Sequence, residues 1–219
     1  HSLLYKPKIT KIVKSRSQDS GSKKFKPAFF AASIRDRAAI IDEISRLTEN
    51  YPLDENVRSG IDELFKYNKF QKEFHITLAH VSQGKNGSLL EKELWNKLKT
   101  RYENFFLASI KGKDSSKLIK TNDFLHFKLK KLCWDSRIVS MMVEFPEKSL
   151  LDSTGQVISD VPCCNKIPHI TIGVLDKNTR PYYSNELCEK VETDGSDLDV
   201  HCLDFKTETT FEADICINL

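Results

Sequence analysis

The sequence of 219 residues contains little glycine and no long apolar run. Eight residues are glycine, and they do not form the phosphate-binding loop of a Walker site or a protein kinase, or a nucleophile elbow. We therefore do not expect this stretch of chain to bind a nucleoside triphosphate. No apolar segment approaches the roughly 20 residues of a membrane-spanning helix, and the first residues lack the apolar stretch of a secretory leader.

The six cysteines include no Cys-x-x-Cys pair. In a chain of this length we interpret them as reduced, mostly buried thiols, which predicts an intracellular protein of the nucleus or cytoplasm. Cys163 and Cys164 precede His169, but the other ligands of a zinc site are missing from the pattern. No metal and no cofactor is therefore expected. The chain starts at His1 rather than Met, and we interpret it as part of a longer protein.

Charge is unevenly distributed along the chain. Residues 1–27 hold eight basic residues and one acid, a net charge of +7. Because the whole chain carries +3, residues 28–219 carry −4. The basic segment is also rich in serine, so 1–27 is predicted to be a flexible linker or arm that can hold phosphate backbones without reading sequence. Residues 28–219 are long enough to form one folded domain with a sizeable core.

One short pattern occurs twice, as His-Ile-Thr-Leu at 75–78 and His-Ile-Thr-Ile at 169–172. In an extended strand alternate side chains share a face, so each copy places an imidazole beside a hydroxyl. About one chain in a thousand of this composition would hold both copies by chance. Two such strands brought together would supply an acid, a base and two hydrogen-bond donors for an anionic group. Metal-free hydrolysis of a phosphodiester needs that set of groups.

Hydrophobic periodicity predicts the elements around the two copies. Strands are predicted at 28–34, 74–81, 124–132, 138–145, 167–174, 200–205 and 210–218, and helices at 36–50, 57–65, 88–105 and from 184 onward. Turns or loops are predicted at 84–87, 135–136, 147–165 and 194–199. Ser88 and Glu91 form a capping box before the third helix. This order predicts an α+β fold of two similar lobes, each of antiparallel sheet and helices, around a central cleft with one motif in each lobe.

The paired motifs lie 94 positions apart in this two-part pattern, and they resemble those of the two-histidine (2H) phosphoesterases. The basic linker, the domain length and the Phe-Phe-Ala-Ala first strand look more narrowly like the C-terminal cyclic phosphodiesterase domain of fungal tRNA ligase. The resemblance implies metal-independent opening of an RNA 2′,3′-cyclic phosphate to a 2′-phosphate and a 3′-OH. It implies His75 and His169 as the catalytic pair and Thr77 and Thr171 as contacts to the phosphate oxygens. It also implies cleaved tRNA halves as partners, and upstream kinase and ligase domains in a monomeric protein.

Acid–base chemistry agrees with these roles. A neutral histidine would take a proton from the attacking water, and a protonated one would give a proton to the leaving ribose oxygen. Both forms are accessible near neutral pH, which predicts a bell-shaped pH profile. The threonine hydroxyls would steady charge on the non-bridging oxygens. The sequence leaves open which histidine is the acid.

No other histidine has a threonine two residues later, so the remaining ones are interpreted as structural. These are His1, His80, His126 and His201. An unpaired base would stack on an aromatic side chain, and the sequence does not choose among four candidates. These are Phe29, Trp134, Tyr182 and Tyr183.

Two alternative functions fit the same motifs. One keeps the site and changes the substrate, as in a 3′-to-5′ RNA exonuclease or a 2′,5′-phosphodiesterase of the same superfamily. The other is a catalytically silent module that binds RNA ends, with the basic arm supplying affinity. A chance occurrence of the motifs ranks last, because it leaves their matching flanks unexplained.

Overall fold

The computed structural model describes residues 25–109, 118–193, 199–206 and 208–219. The predicted basic linker up to residue 24 lies outside the described residues, as does most of the predicted acidic loop, at 194–198. Within the described ranges the chain forms five α-helices and nine β-strands. None of these helices has the length and apolar character needed to cross a lipid bilayer.

The α+β prediction is confirmed, because the helices pack on one large antiparallel sheet. The strands are β1 Phe29–Ile34, β2 His75–His80, β3 Leu118–Trp134, β4 Ile138–Glu144, β5 Leu150–Leu151, β6 Val157–Ser159, β7 His169–Val174, β8 His201–Asp204 and β9 Thr210–Asn218. The helices are α1 Arg37–Glu49, α2 Glu55–Lys66, α3 Val81–Asn86, α4 Leu89–Ser109 and α5 Tyr183–Thr193.

Six strands close into a ring, because the 17-residue β3 pairs with two partners along its length. It pairs with β9 over 118–128 and with β4 over 128–134. From β4 the ring continues through β7, β2, β1 and β9, with every pair antiparallel. The two predicted lobes therefore share one sheet. The motif strands β2 and β7 are neighbours where the lobes meet.

The sheet has a core on each face. On one face α1, α2 and α4 cover the strands, and the ring of Phe30 lies 5.1 Å from that of Trp95 and 6.0 Å from that of Tyr102. On the other face α5 packs on β4, and their buried apolar side chains form a second, smaller core. Neighbouring residues of β4 separate the two, since Met141 belongs to the first core and Met142 to the second. This alternation follows from the two-residue period of a strand.

Two local predictions are wrong. The expected turn at 84–87 is the end of helix α3, which His80 caps: its Nδ1 accepts from the Ser82 backbone N–H (3.1 Å), and its own N–H donates to Gln83 Oε1 (2.8 Å). The expected loop at 147–165 contains β5 and β6, which pair with each other while β5 also pairs with β3. Histidine is an unusual helix cap, and two- or three-residue strands are too short to show a period.

The predicted capping box and hairpin turn are confirmed. The Ser88 N–H donates to Glu91 Oε1 (3.0 Å), and the Glu91 N–H donates to Ser88 Oγ (3.2 Å). Between β3 and β4, Asp135 Oδ1 accepts from the backbone N–H groups of Arg137 (2.8 Å) and Ile138 (3.0 Å).

Gly173 allows a second segment to lie directly against the end of β7. The Gln71 N–H donates to the Ile172 carbonyl (2.8 Å), and Phe70 forms a β-bridge with Gly173. A Cβ at position 173 would lie 2.5 Å from the carbonyl oxygen of Lys69 and against the side chain of Leu64. The backbone contact cannot be relieved by a change of side-chain rotamer.

We therefore expect Gly173→Ala to lower the free energy of unfolding by about 1–3 kcal/mol, as for overpacked core sites. Equilibrium urea unfolding would measure the change. Ser59→Ala, on the exposed face of α2, is the control and should stay within about 0.5 kcal/mol of the native protein. A Gly173→Ala midpoint equal to that of the control would contradict the proposed close approach.

Candidate active site

The two motifs lie side by side because β2 and β7 pair at Ile76 and Ile170. Both isoleucines are fully buried in the first core. Side chains alternate along a strand, so the histidine and threonine on either side of each isoleucine point to the opposite face. The burial pattern agrees, since those four side chains are half-buried or exposed. Burial of the isoleucines thus determines which way the polar groups of the motifs point.

The antiparallel register arranges the four polar side chains diagonally. Extending the pairing by one residue in each direction sets His75 opposite Thr171 and Thr77 opposite His169. Directly opposed residues of an antiparallel pair project from the same face. Each imidazole therefore has one hydroxyl two residues away on its own strand and another across the strand pair. All four predicted site residues are brought together on one face.

A hydrogen bond to the backbone just before β7 holds the ring of His169 in one orientation. Its Nδ1 lies 2.8 Å from the carbonyl oxygen of Ile167. Because a carbonyl only accepts, Nδ1 carries the proton, and the neutral ring keeps its lone pair on Nε2. Burial lowers the pKa of His169, the hydrogen bond to Ile167 raises it, and positive charge on His75 lowers it further.

His75 has a different electrostatic environment. Burial lowers its pKa, but the nearby carboxylate of Glu73 acts in the opposite direction and raises it. The ring of Phe29 lies roughly parallel to the imidazole, with an interplanar angle of 24° and 6.4 Å between centroids. Of the two imidazoles, His75 is therefore the one with a neighbouring carboxylate that favours its protonated form.

The two threonines differ in their partners. Thr171 Oγ1 lies 2.8 Å from Oγ of Ser184, a fully buried residue in the first turn of α5, and 3.5 Å from the carbonyl of Pro181. The hydroxyl of Thr77 makes no hydrogen bond with any described residue, although its backbone carbonyl accepts from Asn165 Nδ2 (3.2 Å). Thr171 is thus oriented by the protein, and Thr77 has its hydroxyl available for a bound group.

The four aromatic candidates for stacking on a base fall into two groups, two that are buried in structural roles and two that are not. Trp134 and Tyr183 are buried in structural roles, with Trp134 Nε1 donating to the Val57 carbonyl (2.9 Å) and Tyr183 Oη donating to Asp135 (2.7 Å). Phe29 lies beside His75. Tyr182 is 76% exposed in the turn that leads into α5, two residues before Ser184.

The other histidines have local packing or capping contacts. His80 caps α3, the ring of His126 lies 5.6 Å from that of Phe124, and the ring of His201 lies 5.8 Å from that of Trp134. His1 lies outside the described residues. No group of three His, Cys, Asp or Glu side chains that could hold a metal is found in the described part of the chain. Burial raises the pKa of Cys163 to about 12 and that of Cys164 to about 11, so both thiols stay protonated near neutral pH.

Three groups at the site were missed by the sequence analysis: the Glu73 carboxylate, the Ser184 hydroxyl and the Ile167 carbonyl. The position of Glu73 two residues before His75 was a usable signal. Ser184 was noted as a helix start, but nothing local to it indicates a contact with Thr171. Every residue has a backbone carbonyl, so the sequence does not indicate which one contacts a histidine.

The family model described as the fungal tRNA ligase phosphodiesterase domain matches residues 1–219. A relative, tRNA ligase 1 of Schizosaccharomyces pombe, is 26% identical over 137 residues, which are 63% of this chain and 14% of that protein. The chain therefore corresponds to a small part of this curated relative.

A solved structure described as that of a fungal RNA kinase has a similar fold. The match has a TM-score of 0.64 at 18% identity and covers 91% of this chain and 47% of that chain. At this identity the similarity concerns the fold alone. The family match over the whole sequence agrees with the resemblance carried by the two motifs, and the chain belongs to the family of fungal tRNA ligase phosphodiesterase domains.

Proposed function

We propose that this domain hydrolyses the 2′,3′-cyclic phosphate at the end of an RNA strand, without a metal, to a 2′-phosphate and a 3′-OH. One observation carries the proposal: the register of β2 and β7 places two imidazoles and two hydroxyls on one face of the sheet. A phosphate bound between the strands has an imidazole on each side. In-line attack needs a base on one side of phosphorus and an acid on the other.

His169 is the general base in this proposal. Its Nδ1–H is engaged by the Ile167 carbonyl, so Nε2 is the nitrogen that accepts a proton from water. The same hydrogen bond fixes the orientation of the ring, so that the acceptor position does not have to be selected at each turnover.

His75 is the general acid. Glu73 favours the protonated ring, and positive charge on His75 disfavours protonation of His169. The proposal accordingly places the single proton that the two imidazoles share on His75. From there it passes to the ribose 3′-oxygen as the bond between that oxygen and phosphorus breaks. The water's proton meanwhile moves to His169.

The two threonine hydroxyls donate to the non-bridging oxygens, where negative charge grows in the transition state. Thr171 accepts a hydrogen bond from Ser184 in this arrangement, and its own proton turns from the Pro181 carbonyl to the phosphate. The Thr77 hydroxyl donates to the phosphate directly, because it has no hydrogen-bond partner among the described residues.

We also propose that the domain works on cleaved tRNA halves within a longer protein that carries kinase and ligase activities. The proposed product agrees with this, because a free 3′-OH is the nucleophile that a strand-sealing step requires. The similarity to part of a protein named tRNA ligase 1 supports it as well.

Loss of either imidazole should strongly reduce turnover. We expect His75→Ala and His169→Ala each to lower kcat by about 10² to 10⁴ on an RNA with a 2′,3′-cyclic phosphate end, because each removes one proton transfer. Single-turnover assays in EDTA would measure the change. EDTA should not affect the native protein, and strong inhibition by EDTA would contradict the metal-free mechanism.

His80→Ala is the matched control, since His80 lies at the other end of β2 and only caps α3. It should retain near-native turnover. Thr77→Ala and Thr171→Ala should lose less than the histidine variants. A catalytic histidine variant with near-native turnover would remove that residue from the mechanism.

The pH profile should identify the acid. Burial lowers both histidine pKa values, so the maximum of kcat/KM should lie below the ordinary histidine pKa of about 6.5. Rate falls at high pH as His75 loses its proton. Glu73→Gln removes a charge that raises the pKa of His75, so it should move the alkaline limb to lower pH and leave the acidic limb in place. A shift of the acidic limb alone would reverse the assigned roles.

The product terminus tests the proposed reaction. After reaction with a short RNA that ends in a 2′,3′-cyclic phosphate, the end should resist a phosphatase specific for 3′-phosphates, because the 3′-oxygen is the leaving group. A sensitive product would keep the two-histidine chemistry and overturn the proposed regiochemistry. Cleavage of linear 3′-ends would favour an exonuclease. Binding without any product would favour the silent module.

A further inference from the structure

A groove of about 740 Å³ opens directly beside His75. One wall is the segment 69–73, which leads into β2, and the other is formed by Val174, Leu175 and Lys177 at the end of β7. His75 and Glu73 lie at its edge, and the proposed hydrolysis of the terminal phosphate uses none of its other residues.

The walls of the groove are held in place by hydrogen bonds. Lys69 connects them, because its Nζ donates to the Leu175 carbonyl (3.0 Å) on one side and pairs with Glu63 on the other. The turn that carries Lys177 is closed by the Thr179 side chain, which bonds Asp176 Oδ2 (3.1 Å) and accepts from Arg137 Nε (3.0 Å). These hydrogen bonds therefore define the positions of the groove walls.

Two cations of the groove have no internal partner. Lys72 and Lys177 are exposed, and within the described ranges neither amine forms an ion pair or a hydrogen bond. Lys69 differs, since Glu63 neutralises it. Glu73 is the single acid among the groove residues, and it acts on His75. The groove that His75 lines thus also carries two ammonium groups without a partner among the described residues.

We infer that this groove binds the phosphodiester backbone of the nucleotides that precede the cyclic end, through Lys72 and Lys177. The inference rests on the proposed function. An RNA strand that ends in a cyclic phosphate continues only on the 5′ side of its last nucleotide, so the strand must leave the site along one path. Ammonium groups hold phosphates without reading bases, so the groove selects a polynucleotide end over a free mononucleotide.

The test compares two substrates in the whole 219-residue chain: an RNA oligonucleotide with a 2′,3′-cyclic end and a nucleoside 2′,3′-cyclic phosphate. For Lys72→Ala/Lys177→Ala we expect kcat/KM on the oligonucleotide to fall about tenfold at low salt, with kcat at saturation unchanged. The slope of log kcat/KM against log salt should become shallower by about 1.4, since each phosphate contact to a single strand contributes about 0.7. Hydrolysis of the mononucleotide should change less than twofold.

Lys92→Ala/Lys97→Ala is the matched control, because it removes two exposed lysines of α4, outside the groove. It should leave the oligonucleotide rate and its salt slope unchanged. An equal loss on both substrates would place the groove lysines on the cyclic phosphate itself, and no selective loss would show that the backbone lies elsewhere. Either result overturns the inference.

Binding separates this inference from the proposed reaction. Fluorescence anisotropy with a labelled RNA that ends in a 2′-phosphate should show a weaker and less salt-dependent affinity for the groove variant than for the native and control proteins. If the native protein hydrolyses neither substrate, the proposed function fails, and the binding difference still decides the role of the groove. Equal affinities of all three proteins would overturn it.

Discussion

The pairing of Ile76 with Ile170 is the contact on which the site depends. It is the register pair that joins β2 to β7, and burial of both side chains fixes which residues face away from the core. A slip of one residue would turn the imidazole and hydroxyl of one strand into the apolar interior, where unpaired polar groups cost several kcal/mol. The polar constellation is therefore positioned by hydrophobic burial beneath it, and no direct hydrogen bond between the motifs is needed.

Closure of the strand ring supports that single pair. The last strand, β9, lies between β1 and β3, and β3 continues to β4 and so back to β7. Every strand of the ring thus has two neighbours, and the two motif strands are fixed from both sides. The second core under α5 adds a further constraint, because it holds Ser184 against Thr171 from the face on which the motifs lie.

Local pattern was sufficient for most elements and for the four motif side chains. Periodicity and the Ser88–Glu91 capping box located most strands and helices to within about four residues, because those signals act over one or two turns. The exception among the predicted elements is β3, which begins six residues before its predicted start at 124. Ring closure was not predictable, since β3 gives no local sign that its two halves pair with different strands. The same limit applies to Ser184 and to the Lys69 contact with Leu175, which join residues far apart in sequence. The catalytic roles of the motif residues stay predictions.

Antiparallel pairing relates the two motifs by an approximate twofold rotation, because it exchanges one strand for the other. A constellation with this symmetry makes the same contacts to a phosphate turned end for end, so by itself it has no polarity. Polarity comes from neighbours that belong to one motif only: the Glu73 carboxylate, the Ile167 carbonyl and the Ser184 hydroxyl. In the proposed reaction, the direction of proton transfer therefore depends on residues that flank the motifs and not on the motif residues themselves.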